Sequence, residues 1–109
     1  MMSIENMKVT WLTDDTVRAC ATFYGYADDL TDPVTQLLTY YDPTGLARGT
    51  ASHGTMNPGS MGLGTWCNDF AIPAAGPIGD WKLSWRITYV AGGGTFPVRE
   101  VVFFKVTEP

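Results

Sequence analysis

The most regular feature of the chain is two-residue alternation between apolar and polar side chains. From Asp80 to Val90, Trp81, Leu83, Trp85, Ile87 and Tyr89 share one parity, and Lys82, Ser84, Arg86 and Thr88 share the other. Successive side chains of an extended strand point to opposite faces, so this segment turns five large apolar groups one way and predicts the central core strand. Thr16 to Tyr24 repeats the pattern, with Val17, Ala19, Ala21 and Phe23 inward and Arg18, Cys20, Thr22 and Tyr24 outward. Further strands are predicted over Val34 to Tyr41 (Leu38 and Tyr40 inward), Thr65 to Ile72 (Trp66, Phe70 and Ile72 inward) and Val98 to Val106 (Val102, Phe104 and Val106 inward). Met7 to Leu12 alternates weakly and predicts a short first strand, and Leu46 to Ser52 a short edge strand.

Turn residues separate these segments. Thr13-Asp14-Asp15, Asp42-Pro43-Thr44-Gly45 and Gly76-Pro77-Ile78-Gly79 read as turns, and Ala91 to Gly94 as a flexible hairpin connection before Pro97, at the entrance of the last strand. Met56 to Gly64, with Asn57-Pro58-Gly59 and alternating glycines, reads as a loop. Twelve Gly and seven Pro recur at short intervals, and no segment holds a helical apolar spacing for three turns. About seven short strands with a turn roughly every 8 to 12 residues predict an all-β sandwich of two antiparallel sheets. Residues 1–109 then form a single domain, with 1–6 an arm ahead of it.

Composition narrows the function classes. At 45% hydrophobic and 17% charged residues the chain is a packed globule rather than a disordered segment. Seven Lys and Arg against eleven Asp and Glu give a net charge of -4, and the cations are scattered along the sequence, which argues against nucleic acid as a partner. No run of about 18 apolar residues predicts a membrane helix, and the amino terminus does not read as a signal peptide.

The inventory for catalysis is thin. The single histidine, His53, lies among small residues in a turn-prone stretch, and no G-x-S-x-G element is present. No catalytic or cofactor-binding residue is predicted. Asp28, Asp29 and Asp32 offer oxygen ligands but match no calcium loop, and solvated turn residues are the favoured reading, with no metal expected. Cys20 and Cys67 share an outer face if their strands pair, as the second and fifth strands of an immunoglobulin-like arrangement do. A cross-strand bond is then geometrically open, although a reducing compartment argues for free thiols. Trp66, Trp81 and Trp85 fall on core faces, leaving Trp11, Tyr24 and Tyr26 as stacking platforms on the alternative reading of a module that recognises carbohydrate at the host surface.

The outward positions carry a more specific pattern. If the third strand and the last two share a sheet, its outer face bears Leu37, Thr39 and Tyr41 on one flank, Lys82, Ser84, Arg86 and Thr88 in the middle, and Val101, Phe103 and Lys105 on the other. Apolar flanks around a basic stripe predict a docking face with Leu37, Tyr41, Arg86, Val101 and Phe103 as its contact residues.

Asp15-Thr16-Val17-Arg18 leading into Thr22-Phe23, Asp32-Pro33-Val34-Thr35, Thr39-Tyr40-Tyr41-Asp42-Pro43-Thr44-Gly45, Gly64-Thr65-Trp66, Gly79-Asp80-Trp81 with Trp85, and the terminal Phe104-Lys105-Val106 follow one another in order. This succession resembles a family of short immunoglobulin-like proteins encoded among bacteriophage structural genes. The resemblance implies an immunoglobulin-like sandwich and a virion component: a head-decoration protein, or a head-to-tail or tail-associated module. It implies other virion proteins or copies of the chain itself as partners, many copies per assembly, and assembly in the host cytoplasm. It brings no catalytic residues with it.

Overall fold

The fold was obtained as a computed structural model, which describes residues 2–5, 7–25, 29–91 and 94–108. All of its regular elements are strands: β1 (Met2–Ile4), β2 (Thr10–Leu12), β3 (Thr16–Phe23), β4 (Thr35–Tyr41), β5 (Ala47–Ser52), β6 (Pro58–Gly62), β7 (Thr65–Ala71), β8 (Gly79–Ala91) and β9 (Gly94–Thr107). They form a four-stranded sheet in the order β1-β3-β7-β6 and a five-stranded sheet in the order β2-β9-β8-β4-β5. These are the two sheets of an immunoglobulin-like sandwich with one additional edge strand, β5, and a first strand divided between the sheets.

Nine strands replace the expected seven or so for identifiable reasons. Residues 1–6, expected as an arm, contribute β1, which pairs antiparallel with β3 from Met2 opposite Phe23 to Ile4 opposite Ala21. Three residues are too few for periodicity to reveal. The stretch expected as a loop between Met56 and Gly64 contains β6, paired with β7 across a register shift between Ser60 and Gly62. An edge strand needs a ladder on one side only, so Pro58 and the glycines are tolerated there. The sheets are antiparallel except where β2 runs parallel to β9. The connection expected at Ala91 to Gly94 includes residues 92–93, which lie outside the described residues.

The core follows the predicted parity. Trp81, Leu83, Trp85 and Ile87 of β8 face Val17, Ala19, Ala21 and Phe23 of β3, all at 0–1% exposure. Burying one large apolar side chain contributes roughly 1.5–3 kcal/mol. The Phe23 and Trp85 rings meet edge to face at 5.9 Å, and Tyr40 stacks on Phe70 at 4.3 Å. Phe70 also occupies the space a side chain at Gly49 would need, since a Cβ there would stand 2.5 Å from the ring. Trp66 is only half-buried, against the expectation of a core residue.

Polar groups inside the sandwich satisfy one another. The Trp85 Nε1–H donates to Gln36 Oε1 at 3.1 Å, and Gln36 Nε2 lies 3.1 Å from His53 Nδ1. An indole N–H can only donate, which fixes the Gln36 amide, makes Nε2 the donor to His53, and leaves the His53 ring proton on Nε2. Asn68 Nδ2 donates to the Tyr40 hydroxyl at 3.0 Å, and burial pushes that phenol up to about 12. Asp42 closes the turn after β4 by accepting from Thr44 N, Thr44 Oγ1 and Leu46 N. Those bonds, the Thr44 hydroxyl foremost, hold its carboxyl below the usual range. Among the described residues no buried side-chain nitrogen or oxygen lacks a partner.

Candidate docking face

The outer face of the five-stranded sheet is built by register. Leu37 pairs with Arg86 and Arg86 with Arg99; Thr39 with Ser84 and Ser84 with Val101; Tyr41 with Lys82 and Lys82 with Phe103. The structure thus brings all five predicted contact residues, Leu37, Tyr41, Arg86, Val101 and Phe103, onto one surface across β4, β8 and β9. Phe103 is 66% exposed, Leu37 45% and Val101 43%. Tyr41 is half-buried, with Lys82 Nζ 4.8 Å from its ring centroid, so this lysine is held by a cation–π contact rather than by a carboxylate.

Arg99 belongs to the same face and was absent from the predicted set. Its parity with Val101, Phe103 and Lys105 was the available signal. Arg99 stands directly opposite Arg86 in the ladder, and like charges opposed in this way cost stability in a sheet. Among the described residues neither has an ion-pair partner. A shallow groove of about 160 Å³ lies over Thr39 and Ser84 between Leu37, Tyr41, Lys82, both arginines and Val101. A second, of about 170 Å³, continues past Thr35 and Thr88 toward Pro97. A larger hollow of about 610 Å³ opens at one end of the sandwich between Thr13, Ala74, Ala75, Pro77, Ile78 and Glu108, away from this face.

The other candidate groups have structural positions. His53 packs against Trp66 with the rings tilted by 35° and their centroids 4.7 Å apart, while Gln36 holds its Nδ1. Asp32 Oδ1 accepts from Gly64 N at 2.8 Å and from Trp66 Nε1 at 3.1 Å, tying the loop before β4 to the start of β7. Asp29 is exposed; Asp28 and Tyr26 lie outside the described residues. One side of the Trp11 ring carries the Lys8 ammonium at 5.0 Å, and its Nε1–H donates to Lys8 O. Among the described residues no group of three or more His, Cys, Asp or Glu side chains is placed to hold a metal ion. No helix is long and apolar enough to cross a membrane.

The two cysteines correct an expectation. Cys20 and Cys67 are directly opposed in the β3–β7 ladder, with Cα atoms 4.1 Å apart, and form a disulfide instead of remaining free thiols. The bond staples neighbours within the four-stranded sheet and does not bridge the two sheets. On the same outer face Arg18 grips Asp69 through Nε and Nη2 at 2.7 and 2.9 Å, which holds the Asp69 carboxyl below its usual range.

Comparison with models of known protein families finds no match, and none of the curated proteins matches the chain.

Proposed function

We propose that the chain is a non-enzymatic interaction module, a component of a bacteriophage particle that docks on other virion proteins through the outer face of β4, β8 and β9. The setting, as capsid decoration or as a head-to-tail or tail-associated module present in many copies, comes from the sequence resemblance and the immunoglobulin-like sandwich. The observation that carries the docking role is the surface itself: exposed Leu37, Val101 and Phe103 around two adjacent arginines without acidic neighbours. A sheet face that served only as a solvated wall would have no need to oppose two cations or to leave a phenylalanine two-thirds exposed. The complementary partner surface supplies carboxylates for Arg86 and Arg99 and an apolar hollow for Phe103.

The test is incorporation. A chain carrying Phe103→Ala together with Arg86→Glu should unfold at the parental denaturant concentration yet drop out of purified particles. Parental incorporation of that folded variant would refute the docking role.

A further inference from the structure

At the middle of the docking face Thr39 opposes Ser84, between a row that carries Arg86 and Arg99 and a row that carries Tyr41 and Lys82. The short side chains of the middle row leave the groove of about 160 Å³ between their longer neighbours. Two rows nearer the β8–β9 hairpin, Thr35 and Thr88 are opposed in the same ladder, and their hydroxyl oxygens share a hydrogen bond at 2.7 Å. Thr88 stands in turn opposite Pro97, which lies inside β9, whereas the sequence placed it at the strand's entrance. Thr39 and Ser84 form no such bond, and among the described residues neither hydroxyl has a protein partner.

The charged lining of the groove is all of one sign. Arg86 and Arg99 stand on one side of Ser84 and Lys82 on the other. Rows on one face of a sheet are roughly 6.5 Å apart along the strands, so these long side chains reach a group seated over Ser84 from both directions. The two acids of β4, β8 and β9 lie elsewhere. Asp80 stands a row beyond Lys82, opposite Lys105, and Glu100 has inward parity, its Oε2 accepting from Ile4 N at 3.3 Å. Lys82 is held by the Tyr41 ring, a contact that leaves its N–H donors to a guest.

A groove lined by hydroxyls and cations, with no carboxylate, fits a guest that accepts hydrogen bonds and carries negative charge. Two planar guanidinium groups offer paired N–H donors that match the two oxygens of a carboxylate. Leu37 and Val101 flank the groove and are 45% and 43% exposed, so the fitting anion is one carried on an apolar segment that covers them. A bare inorganic ion would leave both in water. We infer that the groove is a carboxylate slot, which takes the side chain of an aspartate or glutamate presented between apolar residues of a partner polypeptide. The slot presupposes that this face docks on a protein, and it adds Thr39, Lys82 and Ser84 to the contact residues.

Two blocked tripeptides test it, acetyl-Leu-Glu-Val-amide and acetyl-Leu-Gln-Val-amide, each titrated into the full chain at low salt while backbone amide shifts are followed by NMR. The glutamate peptide should shift Thr39, Ser84 and Val101 saturably, with a Kd of about 1–10 mM, and the glutamine peptide should bind about tenfold more weakly or less. Thr39→Val with Ser84→Ala removes both hydroxyls and keeps strand-compatible side chains, and should weaken glutamate binding about fivefold. Arg99→Gln should weaken it about tenfold. No saturable shift with the glutamate peptide, equal binding of the two peptides, or parental affinity in the folded Thr39→Val, Ser84→Ala chain would each overturn the inference. So would inorganic sulfate that shifts the same amides at lower concentration than the glutamate peptide, since the groove would then select a bare tetrahedral anion. Incorporation into particles separates the slot from the docking role. Exclusion of Phe103→Ala with Arg86→Glu, combined with no glutamate binding, removes the slot and leaves the docking face standing, whereas parental incorporation of that variant removes the docking face itself.

Discussion

The two outer faces of the sandwich solve the same problem differently. On the four-stranded sheet, the central strands β3 and β7 turn outward Arg18 already paired with Asp69, Cys20 bonded to the buried Cys67, and Thr22 donating its hydroxyl to Glu5. None of the exposed large apolar side chains belongs to β3 or β7. On the five-stranded sheet, β4, β8 and β9 expose Leu37, Val101 and Phe103, and Arg86 lies beside Arg99 with no carboxylate at hand. One face satisfies its charges internally. The other leaves charge and apolar area unspent, and that contrast is the ground on which docking is proposed for it, since the same chain closes a face where no partner is invoked.

Breaking the closed face should give the largest effect. Replacing Cys20 and Cys67 by Ser releases a cross-link spanning 47 residues and should cost about 3–4 kcal/mol in urea denaturation. Docking should persist wherever the variant remains folded. A docking defect in the folded variant would show that the two faces are coupled.

Tyr40 and Tyr41 are adjacent on β4 and divide the two sides of the sheet between them, which allows the interior to be probed apart from the face. The Tyr40 phenol, buried and bonded to Asn68, titrates at about 12 against an ordinary 10. The unfolded chain therefore ionises first. Stability present below pH 10 should be lost as the pH rises toward 12, by roughly 2–3 kcal/mol for this group. Tyr40→Phe should remove that share of the alkaline loss. A second share remains, because burial also pushes Tyr89 up to about 12. An unchanged alkaline profile in Tyr40→Phe would contradict the assignment.

Smaller effects are expected on the open face, and they should fall on docking rather than stability. Reversing both arginines, Arg86→Glu with Arg99→Glu, should weaken docking by about 2–3 kcal/mol and leave the unfolding free energy from urea denaturation within about 0.5 kcal/mol of the parent. Phe103→Ala should lose about 1–2 kcal/mol of docking free energy in a titration. Raising the salt should weaken the parent interaction more than that of Phe103→Ala carrying the double reversal, because the parent alone keeps the arginine contacts.

Much of this architecture could be read from the residues, and the omissions have physical causes. β8 was legible because its five large apolar side chains alternate without interruption, and all five are buried. That Leu37, Tyr41, Arg86, Val101 and Phe103 share a face was legible because parity alone decides which side chains do so once three strands are assigned to one sheet. Gln36 and Asn68 were passed over although they share parity with inward neighbours, Leu38 and Tyr40 for the first and Trp66 and Phe70 for the second. Polarity suggested solvent, while the structure uses them to satisfy Trp85, His53 and Tyr40. The disulfide depended on register, which periodicity does not supply: a displacement of one residue between β3 and β7 would separate Cys20 from Cys67. β6 and β1 escaped because short edge strands need neither alternation nor strand-forming residues.

Side-chain footprinting compares the two faces within one molecule. Hydroxyl-radical labelling of the free chain and of the chain in assembled particles should show Phe103, Leu37 and Tyr41 protected on assembly, with Thr22, Thr65 and Arg18 unchanged. Equal labelling of Phe103 in both states, or protection confined to the face that bears Arg18 and Cys20, would contradict the assignment of the docking surface.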